Sequence, residues 1–491
     1  MSTGNFRFDN SFARDMAGFY VPWQGARAPS PRMIKFNLEL AGELGLDAEA
    51  LAGETGAAIF AGALAPEGAS PLAMVYAGHQ FGQFSPQLGD GRALLVGELI
   101  DRHGRRRDIH LKGSGRTPFS RGGDGKAVLK PVLREFLIGE AMHALGIPTT
   151  RALAAVTTGE TVERDGDQAG AVLARVAASH LRIGTFQFFA ARGETDKLRQ
   201  LADYAIARHD PDLSGQSGRY LALFERVCAR QAALIAQWML VGFVHGVMNT
   251  DNMTISGETI DYGPCAFLDD YDPETVFSSI DRGGRYAFGN QPGIAQWNLA
   301  RLAETLLALI NPDDQEDAVR QATLVLERFP AQYQRAWLAG MRAKLGLVRE
   351  LPEDLDLANA LHARMAARGP DYIGVFRDLT TLAREETTPG STGFFEAAEA
   401  REWLDRWRQR AMVEEAPPEA RARLMARANP LYIPRNHLVE DALQHAAEGD
   451  LAPYDRLLEA VRRPFEERAG LGDLARGPPA GTPKCRTFCG T

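Results

Sequence analysis

The chain has 491 residues, with 55 Lys and Arg against 63 Asp and Glu, and a formal net charge of −8 at pH 7. At roughly 100–200 residues per domain, this length holds two to four structural units, and 45% hydrophobic residues supply a core. The negative charge argues against bulk binding to nucleic acid or anionic lipid, because both depend on an excess of cations. Four cysteines are too few for a disulfide scaffold.

The sequence contains no pattern typical of secretion or membrane insertion. Residues 1–20 carry charges throughout and lack the apolar run of a signal peptide. The most apolar stretch, 232–248, is interrupted by Gln237 and His245, and a membrane helix needs about 20 apolar residues. We therefore expect a cytoplasmic monomer whose partners are neither membranes nor nucleic acids.

The predicted elements change in character along the chain. Residues 31–64 have a helical pattern, whereas the sequence from residue 76 onward is rich in Gly and in β-forming residues. Strands are predicted at 93–100, 107–112, 152–157 and 168–174, and helices at 131–145, 221–248, 295–310, 315–345 and 397–412. In the second strand, alternation places His110 and Lys112 on the same face.

This order of elements predicts a bilobal α+β fold. The β-rich N-terminal lobe is expected at 1–185, and a mainly helical C-terminal lobe with extra C-terminal helices at 186–476. The last fifteen residues, 477–491, contain three Pro and three Gly and are predicted to form a flexible tail that carries cysteines.

The segment HGVMNTDNMTISGETIDYG at 245–263 contains the residues most typical of a catalytic site. In protein kinases, a catalytic loop H-R-D-x-x-x-x-N is followed by D-F-G, and the Asn and the second Asp hold magnesium on the nucleotide. Aligning His245 with the kinase His places Asn252 on the kinase Asn, and Asp261 becomes the Asp of DFG. Asn and Asp oxygens are ligands that a hard divalent cation such as Mg²⁺ or Mn²⁺ accepts.

The same alignment places Val247 where a kinase carries its catalytic Asp. Valine neither accepts a proton nor orients a hydroxyl group, so the ordinary kinase mechanism lacks its base. The nearest carboxylate in the sequence is Asp251, which we take as the candidate proton acceptor.

The β-rich half supplies candidates for binding the phosphates. Lys112 ends a predicted strand, and the following helix carries Glu135 and Glu140, of which Glu135 lies on the more polar side and is favoured as the partner of Lys112. Two Gly-rich segments, LGDGR at 88–92 and SRGGDGK at 120–126, allow backbone N–H groups to approach phosphate oxygens. Arg175 and Arg182 add guanidinium groups for the same anion.

Each of these features has a plainer explanation when taken alone. Gly-rich loops are most often hairpin turns, a lone Lys on a strand usually faces solvent, and a buried His such as His245 is usually a core residue. Their order along the chain, from Gly loop and strand Lys to helix Glu, HGxxNTDN and DYG, is what favours a kinase-like nucleotide site.

The sequence resembles selenoprotein O, a family of protein-kinase-like pseudokinases. The resemblance spans nearly the whole chain. It is carried by YAGHQFGQF (76–84), LGDGRA (88–93), HLKGSGRTPFSRGGDG (110–125), EAMHALGIPTTRAL (140–153), RVAASHLRIGTFQ (175–187), HGVMNTDNM (245–253), DYGP (261–264) and QPGIAQWNLARLAE (291–304).

The resemblance implies a kinase-like fold and protein adenylylation (AMPylation). ATP would be bound in a flipped orientation, so that AMP rather than the γ-phosphate is transferred to Ser, Thr or Tyr hydroxyls of protein substrates. Asp251 would be the proton acceptor, and Asn252 and Asp261 would hold Mg²⁺ or Mn²⁺. The residues implied to bind ATP are Gly89, Gly91, Arg92, Lys112, Asp124, Gly125, Glu135, Arg175, Arg182 and Asp261.

The resemblance also implies a link to oxidative stress, although this chain has Cys489 near the position where many eukaryotic relatives carry selenocysteine. Cys265 follows DYGP directly, and Cys485 and Cys489 lie on the tail. A reversible disulfide between Cys265 and a tail cysteine is one interpretation, and free structural thiols in a reducing cytosol are the other.

Two other functions remain open from the sequence. One is a conventional kinase that uses Asp251 as its base, and the other is a non-catalytic pseudokinase that binds ATP as a scaffold. The sequence also leaves open whether ATP or UTP is the nucleotide donor.

Overall fold

The β-forming residues of the first part assemble into antiparallel strands. The computed structural model describes residues 4–164, 166–384, 391–479 and 481–487. The strands are β1 (Tyr20–Pro22), β2 (Arg32–Phe36), β3 (Leu72–Met74), β4 (Gly78–Gln80), β5 (Gln83–Ser85), β6 (Ala93–Ile100), β7 (Arg106–Lys112), β8 (Ala127–Val128), β9 (Arg151–Arg164), β10 (Gly166–Ala177), β11 (Phe243–Val244) and β12 (Ala266–Phe267).

Within the described residues, eight strands form one antiparallel sheet in the order β1-β3-β6-β7-β10-β9-β2, and β8 also pairs with β10. Two separate two-stranded sheets, the hairpin β4–β5 and the pair β11–β12, lie outside this sheet. The helices are α1 (Ser11–Asp15), α2 (Leu38–Leu44), α3 (Ala48–Leu51), α4 (Glu54–Phe60), α5 (Leu129–Ala144), α6 (Ile183–Ala190), α7 (Thr195–His209), α8 (Arg219–Val241), α9 (Gln291–Ile310), α10 (Gln315–Leu326), α11 (Phe329–Leu345), α12 (Asp354–Arg368), α13 (Tyr372–Leu382), α14 (Ala398–Ala411), α15 (Pro418–Ala428), α16 (Asn436–Ala447) and α17 (Ala452–Val461). The predicted α+β class is confirmed.

Two local predictions differ from the structure. The helical pattern predicted over 31–64 begins with a strand, because β2 pairs with β9 more than a hundred residues later, and local periodicity carries no information about such a partner. The helix predicted over 315–345 is divided into α10 and α11. Pro330 lies in the first turn of α11, where its missing N–H is tolerated. Inside a continuous helix over 315–345, the same Pro would remove a hydrogen bond and break the helix.

The sheet is packed on both faces. Ile109 and Leu111 of β7 belong to a buried cluster with Phe60 of α4. On the other face, Leu133 of α5 packs with Leu173 of β10. Because side chains alternate along a strand, His110 and Lys112 of β7 point to the opposite face from Ile109 and Leu111, toward α5.

The C-terminal helices return to the β-rich part of the molecule. Helices α16 and α17 contribute to the same buried cluster as α5. The Tyr454 hydroxyl donates to the Leu133 carbonyl at 2.9 Å, and Arg134 pairs with Glu440 at 2.8 Å. Part of the predicted 186–476 lobe therefore braces the helix that carries Glu135, while the predicted lobe boundaries themselves stay a prediction.

In the portions of the chain that the structure describes, no helix is both long and apolar enough to cross a bilayer. The cytoplasmic location and the monomeric state expected from the sequence stay predictions.

Candidate active site

Three cationic side chains meet on one partly buried carboxylate. Lys112 Nζ lies 2.8 Å from Asp261 Oδ1, and Arg175 Nη1 lies 2.6 Å from the same oxygen. Arg182 Nη1 lies 2.7 Å from Asp261 Oδ2. Burial alone would raise the pKa of Asp261, but the charges of Arg175, Lys112 and Arg182 hold that pKa well below its ordinary value. We call Lys112, Arg175 and Arg182 the cation cluster.

The pairing of β7 with β10 places two members of this cluster. Arg175 lies opposite His110 in the strand register, so Arg175, His110 and Lys112 share one face of the sheet. Arg175 Nε donates to His110 Nδ1 at 3.2 Å, and His110 Nε2 lies 3.2 Å from Asp90 Oδ2. Burial and the charge of Arg175 lower the pKa of His110, so a neutral imidazole fixes the orientation of the guanidinium group.

Helix α5 supplies a second carboxylate to the cluster. Lys112 Nζ lies 2.6 Å from Glu135 Oε2, and Arg175 Nη1 lies 3.4 Å from Glu135 Oε1. Glu140 pairs instead with Arg151 at 2.7 Å. Of the two glutamates considered in the sequence, Glu135 is therefore the one that contacts Lys112.

The backbone around DYG holds Asp261 in an unusual conformation. Its φ angle of 61° lies in the left-handed region, which costs an Asp on the order of 1–3 kcal/mol. The Gly263 N–H donates to the Asp261 carbonyl at 2.8 Å. His245 Nε2 lies 2.8 Å from the Ile260 carbonyl on the other side. The chain is thus fixed on both sides of Asp261, and its carboxylate is presented to the cation cluster.

Asp251 lies in a short 3₁₀ turn at Thr250–Asn252, next to the cation cluster. Gln80 Nε2 donates to Asp251 Oδ2 at 3.2 Å, and Asp251 Oδ1 has no hydrogen-bond partner among the described residues. Burial raises the pKa of Asp251 to about 6, even though the charge of Arg182 opposes the shift. Such a carboxylate is mostly ionised at pH 7 and is more basic than an exposed Asp.

Glycines allow the backbone to approach Asp251 closely. A Cβ atom on Gly78 would lie 2.4 Å from Asp251 Oδ1, and one on Gly184 would lie 2.1 Å from the Ala77 carbonyl oxygen. Neither position has room for a side chain. The motif YAGHQFGQF therefore places hairpin β4–β5 directly against the catalytic loop.

Asn252 and Val247 lie side by side in the catalytic loop. Asn252 Nδ2 donates to the Val247 carbonyl at 3.0 Å, which leaves the amide oxygen of Asn252 as the atom that could bind a cation. Among residues with described positions, no group of three or more His, Cys, Asp or Glu side chains is arranged so that it could hold a metal ion. One amide oxygen and the Asp261 carboxylate nevertheless fit Mg²⁺ or Mn²⁺, because such an ion takes its other ligands from phosphates and water.

A cleft of about 560 Å³ brings these residues together. The predicted site residues that line it are Gly89, Gly91, Arg92, Lys112, Asp124, Gly125, Arg175, Arg182, Asp251, Asn252 and Asp261. Glu135 does not line this cleft but contacts it through Lys112.

The two Gly-rich segments form one wall of the cleft. Gly89 has a φ of 83°, and a Cβ atom there would lie 2.5 Å from the Phe119 ring. Gly125 has a φ of 71°, and a Cβ atom there would lie 2.2 Å from the Gly115 carbonyl oxygen. Both positions require glycine, because L side chains rarely adopt this conformation and the space is already filled.

Asp124 is held at the rim of the cleft by a residue that the sequence analysis missed. Arg164 donates through Nη1 and Nη2 to the two carboxylate oxygens of Asp124, each at 2.9 Å. The hydrogen bonds from Arg164 lower the pKa of Asp124. Arg164 ends β9, far from any motif, so its proximity to Asp124 follows only from the fold.

Two further residues of the site, Tyr76 and Gln80, lie within a recognised motif. The Arg182 guanidinium lies 4.6 Å from the centre of the Tyr76 ring, and Gln80 contacts Asp251. Tyr76 and Gln80 both belong to the motif YAGHQFGQF, to which the sequence alone assigns no chemical role. The motif is therefore visible in the sequence, but the residues that Tyr76 and Gln80 contact can be identified only from the fold.

The cysteines of the proposed disulfide are free thiols in the described structure. Cys265 is buried, which raises the pKa of its thiol to about 12, and Cys485 is half-buried. Thr487 Oγ1 donates to the Pro264 carbonyl at 2.6 Å, so residues 481–487 lie against the segment that follows DYG. Cys489 lies outside the described residues. The disulfide stays a prediction.

Comparison with known proteins identifies the family. A family model described as protein adenylyltransferase SelO matches residues 3–462. A protein from Cereibacter sphaeroides named protein nucleotidyltransferase YdiU is 60% identical over 490 residues, which cover 99% of this chain and 100% of the relative. Proteins of the same name from Rhizobium meliloti and Rhizobium etli are each 56% identical over 489 residues. These matches cover 99% of this chain and 99% and 97% of the two relatives, respectively.

The chain is therefore an enzyme of the nucleotidyltransferase class. It belongs to the SelO family of protein adenylyltransferases, and the resemblance inferred from its motifs is confirmed.

Proposed function

We propose that the enzyme transfers AMP from ATP to Ser, Thr or Tyr hydroxyls of protein substrates and releases pyrophosphate. The observation that carries this proposal is the convergence of Lys112, Arg175 and Arg182 on Asp261, within the cleft that also contains Asp251. Val247 stands where a kinase would carry its base, which disfavours ordinary phosphorylation. The bilobal kinase-like arrangement of the fold is part of the same proposal.

The cation cluster is suited to a triphosphate. Arg175 and Arg182 are buried and Lys112 is partly buried, and the three charges are oriented by Glu135, His110 and Asp261 before any ligand arrives. Preorganised charges in a site from which water is excluded stabilise the negative charge that develops during transfer more strongly than charges in water do. The backbone of the Gly-rich segments at 88–92 and 120–126 adds N–H donors for the phosphate oxygens.

Asp251 is the proposed general base. The acceptor hydroxyl loses its proton to Asp251 as its oxygen bonds to the α-phosphorus of ATP. The bond between the α-phosphorus and the bridging oxygen to the β-phosphorus breaks, and pyrophosphate leaves with the bonding electrons. Atoms and charge balance without any further reactant.

Asn252 and Asp261 are the proposed ligands of a divalent cation. When bound, Mg²⁺ or Mn²⁺ would neutralise phosphate charge during the transfer. Asp261 has a second role in this proposal, because its carboxylate holds the three members of the cation cluster in place when no nucleotide is present.

Radioactive ATP labelled at either the α or the γ phosphate tests the proposal. We expect label from the α position to become attached to protein, and no label from the γ position. Transfer of γ label alone would support the kinase alternative, and transfer of neither would support a non-catalytic scaffold. Competition between ATP and UTP in the same assay identifies the donor.

A further inference from the structure

Hairpin β4–β5 has two faces with different surroundings. Gln80 and Phe81 line the nucleotide cleft, and Gln80 hydrogen-bonds the carboxylate of Asp251. The neighbouring residue, His79, has its ring 5.3 Å from that of Trp297 on α9. Successive side chains of a strand point to opposite sides. The surface around Trp297 therefore lies outside the nucleotide cleft. It is contacted by His79, and the next residue in the chain, Gln80, contacts the candidate base Asp251.

This outer surface combines aromatic rings with arginines. The Arg285 and Arg301 guanidinium groups lie 4.8 Å and 5.0 Å from the centre of the Trp297 ring. Phe84 is 41% exposed, and its ring lies 4.9 Å from that of His79. We define these five residues, His79, Phe84, Arg285, Trp297 and Arg301, as the arginine–tryptophan patch.

The charge of the patch is not fully compensated. Arg301 pairs with Glu304 at 2.7 Å, whereas among the residues described no carboxylate oxygen lies within 4.0 Å of the Arg285 guanidinium nitrogens, and the Asp281 carboxylate accepts only from the Arg285 backbone N–H at 3.0 Å. Arg192, which donates to the Pro86 carbonyl just beyond β5 at 3.2 Å, is exposed and likewise has no acidic partner in the described part of the chain. The patch is therefore cationic on a protein whose net charge is −8, a contrast that favours an anionic ligand.

Hydrogen bonds hold hairpin β4–β5 against the catalytic loop, so the patch has a fixed position relative to Asp251. The His79 N–H donates to Thr250 Oγ1 at 2.7 Å, and the Phe81 N–H donates to Asn249 Oδ1 at 3.1 Å. Phe81 has a φ of 51°, in the left-handed region that non-glycine residues rarely adopt. These bonds link two residues of the hairpin, one on each side of Gln80, to adjacent residues of the loop that contains Asp251.

We propose that the arginine–tryptophan patch binds an acidic segment of the protein substrate, next to the hydroxyl that receives AMP. An extended peptide advances about 3.3 Å per residue, so acidic side chains a few positions from the acceptor reach Arg285 while the acceptor lies at Asp251. Two guanidinium groups already lie over the Trp297 ring, which leaves little of its surface for stacking of a nucleic acid base. This inference rests on the proposed function and specifies its substrate class.

Direct peptide binding tests the patch independently of catalysis. Two fluorescein-labelled peptides would carry one Ser each, flanked by Glu in one and by Gln in the other, and anisotropy would give their Kd values with the full chain. We expect the Glu peptide to bind at least 10-fold more tightly, and Arg285→Gln to weaken its binding 5- to 10-fold while the Gln peptide changes less than 2-fold. Arg456→Gln is the control, because Arg456 lies on α17, a helix that packs against α5, and pairs with Asp473.

Equal affinity of the wild-type enzyme for the two peptides would overturn the proposal, as would equal effects of Arg285→Gln and Arg456→Gln. A wild-type dimer that fails to bind either peptide and becomes monomeric on Trp297→Ala substitution would also overturn it, because a second copy would then cover the patch. Thermal unfolding of each variant shows whether the fold is retained.

The same peptides incubated with α-labelled ATP separate the two proposals. Preferential labelling of the Glu peptide would support both. Selective binding of the Glu peptide without transfer of α label to any peptide or protein would support the docking surface and contradict the proposed function. Equal labelling of both peptides would support the function and overturn the acidic preference.

Discussion

Lys112 and Asp261 are 149 residues apart in the sequence and form an ion pair of 2.8 Å. The pair joins the end of a sheet strand to the DYG segment, and Glu135 extends it to α5 at 2.6 Å from Lys112. The partly buried ammonium group of Lys112 thus connects the sheet, the helix and the catalytic segment. The proposed chemistry depends on this junction, because it assembles the cation cluster before the nucleotide binds.

Asp261→Asn should abolish AMP transfer and destabilise the ligand-free protein. The substitution leaves the buried Arg175 and Arg182 and the partly buried Lys112 facing a neutral amide, and removing one partner of a buried ion pair costs about 3–5 kcal/mol. We expect a fall in transfer of at least 100-fold and a lower Tm. Asp203→Asn is the matched control, since Asp203 lies on α7, pairs with Arg219 at 2.9 Å at the surface and should lower Tm only slightly. Near wild-type transfer by Asp261→Asn would contradict the roles of Asp261.

The pH dependence of transfer should report Asp251. Its pKa is raised to about 6 by burial, and only the carboxylate form accepts a proton, so activity should fall as pH falls through about 6. Asp251→Asn should lose at least 100-fold in kcat at pH 7 without weakening ATP binding. It should also raise Tm at pH 7, because a carboxyl group whose folded pKa is raised destabilises the fold once it is ionised. A variant that keeps the wild-type pH profile would exclude Asp251 as the base.

Gln80 should act as a positioning residue for Asp251. Its amide donates a hydrogen bond to the carboxylate, and this bond lowers the pKa of Asp251. Gln80→Ala should therefore reduce kcat about 10-fold and move the lower midpoint of the pH profile to higher pH. The shift of the midpoint distinguishes this role from a general loss of structure, which would lower kcat without moving it.

Individual residues show how much of the fold and of the candidate site can be predicted from the sequence. The strand ending at Lys112, the helix with Glu135 and the DYG segment were each visible in local patterns, because alternation, caps and spacing are local properties. The contacts of Arg164 with Asp124 and of Gln80 with Asp251 were not visible. They join residues 40 and 171 positions apart, and β-sheet register and loop packing bring them together. The return of α16 and α17 to α5 was hidden for the same reason.

Lys344 provides a prediction about stability away from the site. It is buried at the end of α11, its Nζ has no hydrogen-bond partner among the described residues, and it lies 3.9 Å from the centre of the Phe376 ring. Burial lowers its pKa from 10.5 to about 7. Between these two pH values the unfolded chain binds a proton that the folded chain does not, so the free energy of unfolding should rise with pH across that window.

Lys344→Met should remove this slope and raise the free energy of unfolding at pH 6 by on the order of 2–4 kcal/mol. Urea unfolding at pH 6, 7 and 9 measures both effects. Lys130→Met is the control, since Lys130 is only partly buried and donates to Gln444 on α16 at 2.5 Å. An unchanged slope in Lys344→Met would show that another group causes it.

The predicted disulfide should form slowly unless the tail moves. Cys265 is buried and its thiol pKa is about 12, so little of the reactive thiolate exists at pH 7. We expect peptide mapping after oxidation to find Cys265 linked to Cys485 or Cys489, and Thr487→Ala to speed the linkage by removing the hydrogen bond to Pro264. Recovery of Cys265 only as a free thiol after prolonged oxidation would support the structural-thiol alternative.

The central claim is that the group transferred is AMP and that Asp251 accepts the proton. Tandem mass spectrometry of an acceptor protein incubated with ATP and a divalent cation tests it most directly. We predict that the wild-type enzyme adds an adenylyl group to an acceptor hydroxyl and that this product releases adenine on fragmentation. We expect no such product with Asp251→Asn. An acceptor that has gained only a phosphoryl group would contradict it.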